Sequence, residues 1–169
     1  MNEFADPQES LTQGQNPTIG EMLGNGAAES SVIPAGTWVR ARFKETIQKT
    51  TERSGKTYMK LVFSLDDPRY PAAPGQEPKE FRKMLWFPHK DNNMAANKRN
   101  CRDLVEAAQS FGGDVEEIIK STSPDVAASY FRGFQGFDFQ VQLGVGTFED
   151  RENLKTVEYN VVANIKAAD

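Results

Sequence analysis

From Thr37 to Gln48 apolar and polar side chains alternate. Val39, Ala41, Phe43 and Ile47 fall on one side of this stretch, and Trp38, Arg40, Arg42 and Lys44 on the other. A period of two is the mark of a strand with one buried face. The polar run Thr50-Thr51-Glu52-Arg53-Ser54-Gly55 reads as a hairpin loop, with Gly55 supplying a turn position. A second strand is expected from Lys56 to Leu65, with Met59, Leu61, Phe63 and Leu65 inward and Tyr58, Lys60, Val62 and Ser64 outward. Four prolines and Gly75 make 66–78 a long irregular connection. A third strand follows over Lys79–Phe87, with Phe81, Lys83, Leu85 and Phe87 on one face and Arg82, Met84 and Trp86 on the other. Both faces carry apolar groups, so periodicity alone does not assign its inner side.

After Pro88 the period changes. Asp91-Asn92-Asn93 offers helix N-caps, and Cys101, Leu104, Val105, Ala108 and Phe111 form an apolar stripe at three- and four-residue spacing. This predicts a helix over Met94–Phe111, ended by Gly112-Gly113. Asp114-Val115-Glu116-Glu117 opens a short second helix, with acids complementing its dipole. Ser123-Pro124-Asp125 opens a third, with Ser as N-cap and Pro at the first helical position. The cluster Phe131, Phe134, Phe137 and Phe139 is expected in the core. Alternation returns over Phe137–Val145 and over Val157–Ile165, with Val157, Tyr159, Val161, Ala163 and Ile165 sharing one side. Glu149–Asn153 is the turn between these strands.

Three strands, a helical segment and two strands form the order of the OB-fold, a five-stranded barrel with its helix between the third and fourth strands. A four- or five-stranded α+β sheet with a different connection satisfies the same pattern. The expected class is therefore mainly β with a helical insertion. Residues 1–31 lack such periodicity and are rich in Gln, Asn, Gly, Ser and Glu. They are read as a flexible, featureless acidic N-terminal tail, with a short docking motif of Ile19, Met22 and Leu23 as the alternative, and 32–169 as the folded domain.

Composition narrows the classes. The chain of 169 residues is 10% aromatic, too rich for wholesale disorder despite a mean hydropathy of -0.61. No apolar run approaches the roughly 20 residues of a membrane span, and no signal peptide is visible at the acidic start, so a cytoplasmic location is expected. One cysteine, Cys101, excludes an internal disulfide framework, and with a single histidine a zinc site is not expected. Cys101 itself falls on the helix stripe and is expected to be a small buried thiol. P-loop, HExxH and GxSxG motifs are absent. Asp66-Asp67 is read as a solvated pair at a strand end rather than a metal site. The reading is a non-enzyme without cofactors, catalytic residues or metal.

The net charge of -4 conceals segregation. Residues 1–37 carry five acids and no Lys or Arg; 38–102 carry 15 Lys/Arg against 7 Asp/Glu; 103–169 carry 5 against 12. The basic block coincides with the first three strands. Their non-core positions interleave cations with rings, the two ingredients of single-strand binding: phosphate neutralisation and base stacking. The candidate nucleic-acid contacts are Trp38, Arg40, Arg42 and Lys44 from the first strand, Lys56, Tyr58 and Lys60 from the second, Arg82 and Trp86 from the third, and Lys90 just beyond. His89 is read as a surface histidine, and Lys98, Arg99 and Arg102 as a solvated helix face.

Several segments carry a family likeness: Ile33-Pro34-Ala35-Gly36-Thr37-Trp38 at the entry to the first strand, Ser54-Gly55-Lys56-Thr57-Tyr58-Met59-Lys60-Leu61 at the hairpin, Ala107-Ala108-Gln109-Ser110-Phe111-Gly112-Gly113 at the helix end, and Tyr159-Asn160-Val161-Val162 in the last strand. Over about 32–166 the chain resembles the OB-fold single-stranded DNA-binding proteins of bacteriophages and related mobile elements. The resemblance implies a non-catalytic, largely sequence-independent single-stranded DNA-binding protein of replication, recombination or repair, working in the bacterial host cytoplasm. Replication or recombination proteins are the implied partners, and self-association is compatible with the likeness. RNA satisfies the same requirements as DNA. In many such proteins the acidic partner-docking tail is C-terminal, whereas here the acidic segment leads the chain. Two other expectations follow: an OB-fold protein-interaction module whose acidic segment docks a partner, or a tail that folds over the basic groove as a competitor.

Overall fold

A computed structural model describes residues 32–121 and 123–168, so the expected acidic tail, 1–31, lies outside the described residues. The elements are β1 (Trp38–Thr50), β2 (Thr57–Leu65), β3 (Glu80–Trp86), α1 (Met94–Phe111), α2 (Glu116–Lys120), α3 (Pro124–Arg132), β4 (Asp138–Asp150) and β5 (Lys155–Ala167). They form a mainly β fold built on one five-stranded sheet of order β3-β2-β1-β4-β5. The β1–β2, β2–β3 and β1–β4 pairs are antiparallel. The sheet is open: among the described residues no ladder joins β3 to β5. By compactness the described residues fall into two units, one of 35–144 with 161–168 and one of 32–34 with 145–160.

In the larger unit the helices cover the inner face of the sheet. Phe111, the last residue of α1, meets Phe43 edge-on at 5.0 Å, Phe139 at 4.6 Å and Phe131 at 4.9 Å. Fully burying a side chain of this size contributes about 1.5–3 kcal/mol, so this cluster is the main link between helices and sheet. Local chemistry sets the helix ends. Asn93 Oδ1 accepts the Ala96 N–H at 2.8 Å, and Gly112 closes α1 at φ 90°, a left-handed position that glycine adopts without a Cβ clash. Ser123 caps α3 through Asp125 N–H, with Pro124 at its first position. Tyr130 Oη donates to the Ala108 carbonyl at 2.7 Å and accepts from Gly113 N–H at 3.0 Å, tying α3 to the end of α1.

Several sequence expectations are corrected. The β1–β2 register shifts between Phe43 and Glu45. This bulge places an extra residue on the outer side, so Thr46 is buried where Ile47 was expected, and Ile47 turns outward opposite Lys60. Val62, expected on the solvent side of β2, is fully buried although its neighbours keep the alternation. The inner face of β3, which periodicity left open, is the one with Phe81 and Leu85, with Phe87 just beyond, and it takes Lys83 with it. Cys101 is exposed rather than buried, because the buried side of α1 is Leu104, Ala107, Ala108 and Phe111. Phe131 and Phe139 are core, but Phe137 is 57% exposed and packs edge-on against Phe134 at 5.7 Å. In β5 Ile165 of the expected alternate set is buried, but so is Val162 from the opposite set, while Tyr159 and Ala163 are exposed.

In the smaller unit, Asn160 clamps the backbone of Ile33, donating from Nδ2 to its carbonyl at 2.8 Å and accepting its N–H at Oδ1 at 2.9 Å. Gly146 leaves room for the Tyr159 ring, which a Cβ there would meet at 2.8 Å, and Phe148 packs against the same ring at 5.9 Å. Among the described residues no helix is long and apolar enough to cross a membrane.

Candidate nucleic-acid interface

Strand pairing lays the outer face of β1, β2 and β3 out as a grid. Nearest the 51–56 hairpin, Tyr58 is flanked by its cross-strand neighbours Lys49 of β1 and Trp86 of β3. The next row is Ile47, Lys60 and Met84, and the third is Glu45, Val62 and Arg82. Rows on one face stand about 6.6–6.8 Å apart and strands about 4.8 Å apart. All of these outer positions lie opposite the helices, because Met59, Leu61 and Phe63 point the other way into the core.

The first two rows form an aromatic and cationic platform. The Tyr58 and Trp86 rings pack at 4.9 Å with a 50° tilt, and both remain partly exposed. Lys60 Nζ stands 5.8 Å from the Tyr58 ring centroid, and Met84 beside it is 48% exposed. Among the described residues, Lys49, Lys56 and Lys60 form no ion pair with a carboxylate. The hairpin that ends the platform is fixed by Thr51, which accepts the Gly55 N–H at its carbonyl and gives its own N–H to Lys56 O. Gly55 takes φ 70° there, which favours glycine. His89 and Lys90 follow β3, and a Cβ on Gly55 would lie 3.8 Å from His89 Nε2. Asn97 holds this loop by accepting His89 N–H and donating to His89 O, each at 3.0 Å.

The other end of the face is different in kind. Arg40 bonds the Asp66 carboxylate at 3.1 Å, Arg42 Nε bonds Asp138 at 3.1 Å, and Arg82 bonds Glu80 at 3.2 Å. Lys44 also pairs with Glu80. The hydrogen bond and charge of Asp138, with the charge of Asp66, raise the Arg42 pKa; Glu80 does the same for Lys44. The carboxylates that tighten these protons also cancel the positive potential a phosphate would feel. Trp38, half-buried, stacks under Lys166, whose Nζ lies 4.3 Å from its ring centroid.

Asp67 is the anchor of this end. Its Oδ1 accepts Arg69 N–H and Nε–H, each at 3.0 Å, and its Oδ2 accepts Arg40 N–H at 3.1 Å and Arg69 NH2 at 2.8 Å. Arg69 also donates to the Trp38 carbonyl at 2.7 Å, so the 66–79 connection is bolted to β1. The bonds from Arg69 and the backbone hold the Asp67 carboxyl well below the usual carboxylate range, against the opposing effect of burial.

Eight of the ten predicted contact residues therefore share one outer face: Trp38, Arg40, Arg42, Lys44, Tyr58, Lys60, Arg82 and Trp86. Lys56 precedes β2 at its hairpin end, and Lys90 follows β3. Sequence reading missed Lys49, Ile47 and Met84 as members of the platform and Asp66, Asp138 and Glu80 as its ion-paired counterweight. The bulge in β1 is what moves Lys49 to the Tyr58 side, and a strict alternation from Trp38 hides it. Among the described residues no cluster of three or more His, Cys, Asp or Glu is placed to hold a metal ion. No protein-family model matches the chain, and no curated protein matches it in sequence.

Proposed function

We propose that the chain is a non-catalytic single-strand nucleic-acid-binding protein, with single-stranded DNA as its principal ligand and little sequence preference. The observation that carries this is the Tyr58–Trp86 ring pair on an outer sheet face, flanked by Lys49, Lys56 and Lys60 without carboxylate partners among the described residues. Partly exposed rings stack on any base, and the unpaired ammonium groups neutralise phosphates on either side. Nothing in the grid offers the paired donors and acceptors that read base edges.

We read the sheet as an OB barrel open along one seam. Its neighbour order, β3-β2-β1-β4-β5, is that of such a barrel unzipped between β3 and β5. Lys83 supports this by reaching from β3 to the Ala163 carbonyl of β5 at 3.5 Å. The outer side of the second and third strands is where OB-folds take up oligonucleotides, and it is where the ring pair lies. The family resemblance adds the cellular setting: phage DNA replication, recombination or repair in a bacterial host.

Fluorescence anisotropy with labelled oligo-dT and with duplex DNA at low salt tests this. Oligo-dT is expected to bind more tightly than duplex. Tyr58→Ala and Trp86→Ala should each weaken it by about 1–3 kcal/mol, roughly five- to 150-fold, with circular dichroism unchanged. Equal affinity for both DNAs, no binding, or folded variants of undiminished affinity would remove the proposal, and absence of binding would favour the protein-interaction module instead.

A further inference from the structure

On the other side of the sheet from the ring pair, the helical layer of the larger unit holds a cavity of about 600 Å3. Its apolar wall comes from Phe87 at the end of β3, Leu104 and Val105 of α1, Ile118 and Ile119 of α2, and Ala127 of α3. Ile119 is 60% exposed, so the apolar wall continues to the surface at the cleft mouth. The volume lies in the range of built ligand sites, which are mostly apolar with a few polar groups at the mouth.

The charges at the mouth are unequal. Lys90 lines one side, offset by its neighbour Asp91, whose carboxylate lies 3.7 Å from the cleft-lining His89. Lys98 precedes Cys101 by three residues and Arg102 precedes Val105 by three, so both cations stand next to the cleft-lining face of α1. All three are exposed, and none has a carboxylate partner among the described residues. The α2 side carries Glu116 and Glu117, with Glu116 lying 3.8 Å from Lys120. An occupant must therefore offer apolar side chains to the cleft floor and negative charge toward α1.

We infer that this cleft docks an acidic peptide with apolar anchor residues, supplied by a partner protein. Charge complementarity selects the peptide: its carboxylates meet Lys98 and Arg102 on the α1 side, and its anchors displace water from the wall formed by Val105, Ile118 and Ile119. Because the helices cover the inner sheet face and the ring pair lies on the outer one, docking leaves Tyr58 and Trp86 free. A chain holding a single strand can thus be recruited by, or recruit, another protein at the same time. The docking inference does not depend on the nucleic-acid reading.

The test uses the full chain and three fluorescein-labelled synthetic peptides. The first alternates Glu with Leu and Phe, the second replaces its Glu by Lys, and the third replaces its Leu and Phe by Ser. Only the first is expected to bind. Ile119→Ser, at an exposed position, should weaken it about tenfold, and the pair Lys98→Glu with Arg102→Glu by at least as much. Alkylating Cys101, the single cysteine and a cleft-lining group, should block binding. Ile119→Ser should leave oligo-dT affinity unchanged, and Trp86→Ala should leave peptide affinity unchanged, so failure here and failure of the nucleic-acid proposal are separately visible. Three results overturn the inference: no binding of the first peptide, equal binding of the first and second peptides, or peptide affinity unaffected by both the Ile119 variant and Cys101 alkylation. Concentration-dependent self-association abolished by Ile119→Ser, without peptide binding, would identify a second copy of the chain as the occupant and overturn it too.

Discussion

Two single residues show how the outer and inner faces are held apart. Thr46 is buried by the β1 bulge, and its hydroxyl has no hydrogen-bond partner among the described residues. A lone buried hydroxyl keeps its desolvation cost without a compensating bond, so an apolar side chain of the same shape should be better there. Thr46→Val is expected to stabilise the fold by about 1 kcal/mol, seen as a rise in melting temperature of about 2–4 °C; a lower melting temperature would mean that the hydroxyl is satisfied by water. Asp67 makes the opposite case. Its carboxylate accepts four N–H groups, and the Arg69 bonds above all hold its pKa well below the usual carboxylate range. The unfolded chain, with an ordinary carboxylate near about 3.9, takes up the proton first on acidification. Asp67 therefore stabilises the fold fully above that value, and the contribution drains away as pH falls toward the depressed native one. Urea melts at stepped pH should show the native protein losing stability below about pH 4. Asp67→Asn should be less stable at neutral pH and show a shallower acid loss.

At the scale of elements, helix α1 shows a sequence signal and a structural one coinciding. Asn93 was one of three adjacent cap candidates, and its Oδ1 takes the Ala96 N–H at 2.8 Å. Asn93→Ala should cost about 1 kcal/mol in thermal or urea unfolding, while Asn92→Ala, which removes a donor to Asn97 rather than a cap, should act on the 89–92 loop. Helix limits were legible because caps, proline and glycine are local chemistry: Met94–Phe111 was read to the residue. Strand existence was legible for the same reason, since alternation is local. What escaped was set by partners distant in the chain. The β1 bulge depends on where β2 and the Gly136–Phe137 backbone meet Phe43, whose N–H and carbonyl both bond there at 2.8 Å. Cys101 looked like core because an apolar stripe does not say how wide its buried part is, and the contact made by Phe111 rotates that part toward Ala107. In β5, burial of Val162 three residues before Ile165 breaks the period of two, so alternation found Ile165 but missed Val162. The candidate interface was readable as residue types and side of the sheet, but its division into a stacking end and an ion-paired end was not. Asp66, Asp138 and Glu80 come from three separate segments, and only the folded register brings them to Arg40, Arg42, Lys44 and Arg82.

That division decides how the whole molecule should respond to salt. The chain is acidic overall, at -4, so attraction to a polyanion has to come from a local field rather than from net charge. Counting every cation on and beside the outer face would include Arg40, Arg42, Lys44 and Arg82, but each already faces a carboxylate. Moving such a group to a phosphate exchanges one anion for another and releases little counterion, because the abandoned carboxylate then gathers its own. The net contributors are Lys49, Lys56, Lys60 and Lys90, clustered at the end that holds Tyr58 and Trp86. With about four phosphates neutralised on a single strand, log affinity should fall against log salt with a slope near about -3, where participation of all eight cations would give nearly -6. Replacing Lys60 or Lys49 by Ala should flatten the slope by about 0.7 each, while Arg42→Ala should leave it almost unchanged. Anisotropy titrations with oligo-dT across a salt series measure all of these on one scale. A slope that flattens as much for Arg42→Ala as for Lys60→Ala would mean that the ion pairs open on binding and that nucleic acid tracks the full length of β1 rather than the ring-bearing end alone.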